Sequence, residues 1–226
     1  SIGHCIGAAT AGATAFTASS GPGLSLYSEN IGLAIMMEVP LVITISQRLG
    51  PSTGAATAAA QGDIQFMRWC NSGGYPVIVL SPTNIPESYH LTKRAFKLAK
   101  RFRNPVFIAT DKETVMTTES VAVSEMTETP DWPEVPDEPV GELLDPYRVN
   151  GKIHHYTGSS HTEEGHITKD PSIIADLNER LRQKIESRVD ELSLMKSDLE
   201  DGAETLILSY GISARSMEAA VNQLRS

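Results

Sequence analysis

The sequence predicts an α/β protein built on a doubly wound, mostly parallel sheet, and three observations carry that expectation. Four short β-type runs, "TAFTA" (14–18), "LVITIS" (41–46), "PVIVLS" (76–81) and "PVFIAT" (105–110), alternate with helical stretches around 24–38, 61–70 and 85–102. Alternation of this kind means right-handed crossovers and a sheet covered by helices on both faces. Pro40, Pro76 and Pro105 each stand at the start of a run, where a missing backbone N–H costs least.

The elements follow in order. "SIGHCIGAATAG" sets Gly and Ala at helical spacing, which lets a first helix lie close to a neighbouring backbone. The strand at 14–18 leads through Ser19-Ser20-Gly21-Pro22-Gly23 directly into a helix. Helix 85–102, "IPESYHLTKRAFKLAKRF", ends in cations that suit the negative end of its dipole, as a solvated face or as a docking patch for an acidic partner. From about 125 to 170 the texture turns acidic and proline-rich, which reads as an extended linker over a surface. Asp170-Pro171 opens a long helix to roughly 195, with Leu177, Leu181, Ile185 and Leu192 on or near one face. After Gly202 a strand "TLILSYG" (205–211) and a helix (213–225) begin a second α/β pattern. The expected organisation is therefore a first domain over 1–124, a linker and connecting helix over 125–202, and the start of another domain over 203–226. With no initiating Met and no further strand after 225, the expectation is a piece of a longer chain.

Composition limits the function classes. The 226 residues are 40% apolar and 21% charged, enough to bury a sizeable core. A net charge of -9 opposes nucleic-acid tracking and binding to anionic membranes. No apolar run approaches the ~20 residues that span a bilayer. Two cysteines, Cys5 and Cys70, without a C-x-x-C pair, give neither a disulfide framework nor ligands for structural zinc or an iron-sulfur cluster, and a reducing, cytoplasmic setting fits.

Two loops attract attention. Gly21-Pro22-Gly23 joins a strand end to a helix start, where open parallel sheets present N–H groups to ligands. The dinucleotide fingerprint fails because Leu26 stands where its third glycine belongs, and no Gly-Lys-Ser/Thr of a P-loop occurs. A tight turn with Pro at the first helical position explains the same residues without a ligand. After the second strand comes Ser46-Gln47-Arg48-Leu49-Gly50-Pro51-Ser52-Thr53-Gly54. Arg48 at the strand's carboxyl end can hold a carboxylate by two parallel hydrogen bonds, with Ser52 and Thr53 adding hydroxyl donors, or it can pair with a surface acid. Loops 19–25, 46–54 and 61–63 would open on one mouth.

The ordered series "SGPG…SENIG…EVP…QRLGPSTG…QGD", continued by "PVIVLSP", "AFKLAKRFRNPVFIATD", "HHYTGSSHTEEGHITKDP" and "YGISARSMEAAV", closely resembles the alpha subunit of 2-oxoacid:ferredoxin oxidoreductases, particularly the 2-oxoglutarate type. The resemblance implies that 1–124 is the pyrimidine-side domain of a thiamine diphosphate enzyme and that 203–226 begins a transketolase C-terminal-like domain. It implies that Ser19, Ser20, Gly21, Pro22 and Gly23 line the cleft for the cofactor's aminopyrimidine ring or the substrate beside it, and that Arg48 anchors the 2-oxoacid carboxylate. The implied reaction is oxidative decarboxylation of a 2-oxoacid with coenzyme A to acyl-CoA, carbon dioxide and reduced ferredoxin, in either direction.

The same resemblance places other parts elsewhere. A threonine-bearing segment and the glutamate that protonates the aminopyrimidine would precede Ser1, so no catalytic acid or base is assigned. The Gly-Asp-Gly…Asn motif for Mg2+ and diphosphate, and the cysteines for an iron-sulfur cluster, belong to the family's beta subunit; Glu200-Asp201-Gly202 with Asn222 is only a poor imitation. The chain is therefore expected to be inactive alone, as part of a hetero-oligomer. Two departures, "CNSGGYP" (70–76) and "AAAQGD" (58–63), remove polar groups near the mouth and point towards a smaller or less polar acid than the favoured 2-oxoglutarate. His161 and His166 stand among acids, but their spacing matches no ligand pattern and favours structural hydrogen bonding; no metal site is expected. His154 and His155 read the same way, and His4 faces either the cofactor or a core. Two other readings stand beside the leading one: a non-oxidative thiamine diphosphate enzyme of the acetolactate synthase type, and a non-catalytic α/β binding subunit.

Overall fold

A computed structural model describes residues 2–141 and 157–225. Its centre is a parallel sheet of β1 (Phe16–Ser19), β2 (Leu41–Leu49), β4 (Ile78–Leu80) and β5 (Pro105–Asp111) in the order β1-β2-β5-β4. The short β3 (Ala55–Ala59) folds back antiparallel on the end of β2, with Arg48 opposite Ala59. Strand β5 is buried along its whole length, as the central strand of a sheet covered on both faces must be.

Alternation along the strands splits the core in two. Leu41, Ile43 and Ile45 of β2, with Phe107 and Ala109 of β5, pack against α1 (Ile2–Thr10), α3 (Ser28–Met36) and Met67 of α4 (Ile64–Arg68). Val42, Val106 and Ile108 point the other way, onto Leu91, Ala95, Leu98 and Phe102 of α5 (Ile85–Phe102) and Ile185 of α8 (Pro171–Glu186). Phe102 and Phe107 are fully buried, each worth about 1.5–3 kcal/mol of transfer free energy. This is the doubly wound arrangement expected from the sequence.

Helix α5 shows why its bounds were readable. Asn84 accepts a hydrogen bond from the Glu87 amide, Pro86 sits in the first turn, and Arg103 closes the helix in the left-handed region. The expected solvated cationic face holds for the exposed Lys97 and Lys100 but not for the arginines. Arg94 is only 8% exposed and donates to the Pro133 carbonyl, while Arg101 pairs with Glu191 at 2.8 Å. These cations pin the 130–140 segment and α9 (Val189–Leu192) to the sheet's flank, and Val135 and Val140 are buried beneath. The acidic stretch is thus less a free linker than a strap, with a short α7 (Val123–Thr127) at its start; residues 142–156, including His154 and His155, lie outside the described residues.

Two expectations fail. The long helix of 171–195 is two pieces, α8 and α9, broken at Ser187 and Arg188. The strand expected over 205–211 is extended chain with no pairing among the described residues, and Leu206, Ile207 and Leu208 are 67%, 58% and 83% exposed. A strand needs a neighbour to take its N–H and C=O groups, and none lies beside it here. The helix after it, α10 (Gly211–Arg225), forms as expected.

Candidate active site

The site lies at the carboxyl ends of the parallel strands, where three loops meet. After β1, the chain turns through Gly21, whose φ of 49° and ψ of -120° lie outside the range of L side chains, into the short α2 (Pro22–Ser25). Arg48, the penultimate residue of β2, lays its guanidinium against this turn. A Cβ on Gly21 would fall 2.3 Å from Arg48 Nε, so only glycine leaves room for the arginine. Arg48 Nε is buried there without a hydrogen-bond partner among the described residues. A buried guanidinium N–H without an acceptor is costly unless something fills the position.

The third loop carries Gln61, Gly62 and Asp63. One carboxylate oxygen of Asp63, Oδ2, accepts from the Gly21 amide at 3.3 Å and from the Arg48 amide at 3.2 Å. A Cβ on Gly62 would sit 2.7 Å from the Arg48 carbonyl oxygen, so this loop also runs in close contact with β2. Sequence reading passed over Asp63, although its "QGD" stood in the quoted series; the signal was an acid following a glycine at the mouth.

The loop's amides are not free for a ligand, which revises the expected wall of bare N–H groups. Gly21 donates to Asp63, Gly23 to the Ser20 carbonyl at 3.1 Å and Leu24 to the Gly21 carbonyl at 3.0 Å. Gly23 has its own reason to lack a side chain, since a Cβ would meet Ser19 Oγ at 2.1 Å. Ser19, Ser20, Pro22 and Gly23 remain half-exposed at the mouth. This surface fits the flat ring end of thiamine diphosphate, which needs contact faces and a hydroxyl or two. It fits the diphosphate poorly, because the Gly21, Gly23 and Leu24 amides already donate within the chain. Ser52 and Thr53 stand in the exposed turn between β2 and β3, and Ser52 adopts a φ of 51°.

A further layer closes the sheet ends. Buried Gln47 donates from Nε2 to the Thr110 carbonyl at 3.3 Å, and its Oε1 accepts from the Tyr210 hydroxyl at 3.4 Å. Gln61 Nε2 donates to the Tyr210 carbonyl, and Gly211 packs within 3.1 Å of Ser81 Oγ when given a Cβ. Burial raises the Tyr210 phenol above its ordinary range, with the Asp111 charge adding to it against the Gln47 contact. Thus α10 begins on the same rim as the Gly21 loop.

The histidines fall elsewhere. His161, 2% exposed, holds the Ser159 carbonyl at 2.9 Å through Nδ1 within a hairpin that bridges to Ile167. No cluster of three metal-ligating side chains occurs among the described residues. Glu200 to Gly202 form an exposed turn.

Fold and site together define a thiamine diphosphate-binding α/β module, and comparison with known proteins gives its family. Residues 1–179 match the family described as pyruvate flavodoxin/ferredoxin oxidoreductase, thiamine diphosphate-binding, and the chain belongs to it. Relatives named 2-oxoglutarate synthase subunit KorA, from Methanocaldococcus jannaschii and Archaeoglobus fulgidus, are each 36% identical, over 100% and 99% of this chain and 63% and 61% of their own lengths. The chain therefore spans a little under two thirds of these relatives. A solved 2-oxoglutarate:ferredoxin oxidoreductase from Magnetococcus marinus, with 2-oxoglutarate, coenzyme A and succinyl-CoA bound, superposes on the whole chain with a TM-score of 0.81 at 26% identity, covering 42% of that chain.

Proposed function

We propose that the chain is the pyrimidine-side portion of the alpha subunit of a 2-oxoacid:ferredoxin oxidoreductase, with 2-oxoglutarate as the favoured acid. The observation that carries this reading is the half-buried Arg48 guanidinium packed over Gly21 at the strand ends, its Nε without a hydrogen-bond partner among the described residues. A cation at the mouth with no acid partner among the described residues suits a carboxylate, and clamping that carboxylate orients the neighbouring keto carbon. Relatives named for 2-oxoglutarate support the acid. Thiamine diphosphate, when bound, supplies the carbon nucleophile and the electron sink for decarboxylation.

The residues of this chain have the supporting roles. Arg48 binds and orients the acid, and Ser19, Ser20, Gly21, Pro22 and Gly23 form the floor against which the pyrimidine ring lies. Ser52 and Thr53 contribute hydroxyls from the β2–β3 turn. The diphosphate with its Mg2+, and the iron-sulfur cluster that passes electrons to ferredoxin, fall to a beta subunit; the lack of free donors in the Gly21 loop supports that division. Coenzyme A accepts the acyl group, and the relative bound to coenzyme A supports its inclusion. Residues 203–226 begin a transketolase C-terminal-like domain whose first helix, α10, rests on the site rim. The two thiols are free, which suits a cytoplasmic enzyme, and among the described residues no helix is long and apolar enough to cross a membrane.

The test is Arg48→Ala in the complete enzyme. Loss of the carboxylate partner is expected to lower kcat/KM for 2-oxoglutarate by about 2–5 kcal/mol, chiefly in KM, with thiamine diphosphate still bound. An unchanged KM removes Arg48 from substrate binding. Turnover without electron transfer to ferredoxin in the wild type would favour the non-oxidative reading, and thiamine-free enzyme the binding-subunit reading.

A further inference from the structure

We propose that Asp63 is a positioning residue that sets where the Arg48 guanidinium stands over the Gly21 turn. This rests on the reading of Arg48 as the carboxylate anchor. Asp63 occupies the residue before α4, where an aspartate ordinarily caps the helix by accepting from its first amides. Here its side chain makes no such bond. It is turned away from its own helix, and Oδ2 takes the Gly21 and Arg48 amides together. One oxygen thus ties the strand that carries the cation to the loop on which the cation rests.

The surrounding geometry gives that tie its effect. Arg48 Nε has no hydrogen-bond partner among the described residues, so its head group is placed by its backbone and by the surfaces it touches. Gly21 is the surface under the head group, while Gly62, which adjoins Asp63 in sequence, packs against the Arg48 carbonyl. Strand pairing restrains this point less, because the β2–β5 ladder ends at Gln47 and the β2–β3 register, though it pairs Arg48 with Ala59, shifts before Leu49. With the ladder irregular there, the Asp63 bond to the Arg48 amide holds the backbone. A carboxylate anchor displaced by about an ångström can cost on the order of a hundredfold in rate.

The experiment uses the complete enzyme with 2-oxoglutarate and compares Asp63→Ala, Asp63→Asn, Arg48→Ala and the Asp63→Ala/Arg48→Ala pair. Amide hydrogen exchange is read at Gly21 and Arg48 in each Asp63 variant. Asp63→Ala is expected to raise KM about tenfold or more with a smaller change in kcat, and to speed exchange at both amides. Asp63→Asn, which keeps an acceptor oxygen, should recover most of the loss, and Asp63→Ala should add little when Arg48 is already alanine. An unchanged KM in Asp63→Ala, full additivity with Arg48→Ala, or unaltered exchange at the two amides overturns the proposal. If Arg48→Ala alone leaves KM unchanged, the anchor reading fails and positioning of that anchor fails with it; intact KM effects in Arg48→Ala but not in Asp63→Ala overturn only the role of Asp63.

Discussion

The two ends of the parallel sheet each carry cationic side chains, and only the amino end pairs them with a carboxylate among the described residues. At the amino end, Glu38 is 0% exposed just before β2 and binds Arg180 through two bonds of 3.0 Å and Lys184 at 2.9 Å. Lys184 also donates to the Arg103 carbonyl, and Arg103 Nε to the Glu38 carbonyl at 3.1 Å. Glu38 adopts a φ of 52°, a conformation that costs a side chain roughly 1–2 kcal/mol, so the carboxylate is worth keeping there. At the carboxyl end, Arg48 Nε has nothing to bind. Cations paired on a buried carboxylate tie elements together, whereas a guanidinium without an acid partner among the described residues is suited to an incoming anion.

The contrast is broken most forcefully at Glu38. Glu38→Ala leaves Lys184 buried beside other cations and is expected to destabilise the fold by about 3–5 kcal/mol in denaturant unfolding. Next in size is Arg48→Ala, whose loss should appear in KM while unfolding free energy changes by about 1 kcal/mol or less. Equal effects of Glu38→Ala and Arg48→Ala on stability would erase the distinction between the two ends.

Acid sharpens it further. Burial raises the Glu38 carboxyl, but Lys184 and Arg180 outweigh burial and hold it below its ordinary value of 4.5. Its stabilisation is therefore complete above about 4.5 and lost as pH falls through the lowered folded value. Glu38→Gln should flatten that part of the stability profile, measured by thermal unfolding from neutral to acid pH. Lys184 behaves differently because two cations share one anion: burial, with Arg180 and Arg103 nearby, brings it down from 10.5 to about 8 despite Glu38. Between about 8 and 10.5 the folded chain holds fewer protons than the unfolded one, so this group favours folding more as pH rises across that window. Lys184→Met, which removes a costly ammonium and leaves Arg180 on Glu38, is expected to change stability by only about 1 kcal/mol and to abolish the alkaline trend. The smallest effect belongs to Tyr210→Phe, about 0.5–1 kcal/mol for one hydrogen bond, read as faster exchange at the start of α10.

Much of this was legible in the residues themselves. The four parallel strands and α5 declared themselves because β-type and helical runs alternated and prolines stood at strand starts, whereas β3 was not read. Gly21 and Arg48 were singled out and prove to be in contact, but the reason for Gly21 was not visible: its bare backbone admits an arginine 27 positions along the chain. Asp63 and the Glu38 cluster were missed for the same cause. Their partners lie 15 to 42 and 142 to 146 residues away, and no local pattern announces such pairs. The strand expected at 205–211 shows the converse, since local preference alone cannot form a ladder without a neighbour.

Strand β2 begins three residues after Glu38 and carries Arg48 near its far end. Because side chains along a strand switch faces at every step, the ionic anchorage and Arg48 are related by parity as well as by distance. Flanking loops can lengthen without disturbing that relation, but one inserted or deleted residue between Leu41 and Gln47 would turn Arg48 away from the mouth while leaving every residue type in place.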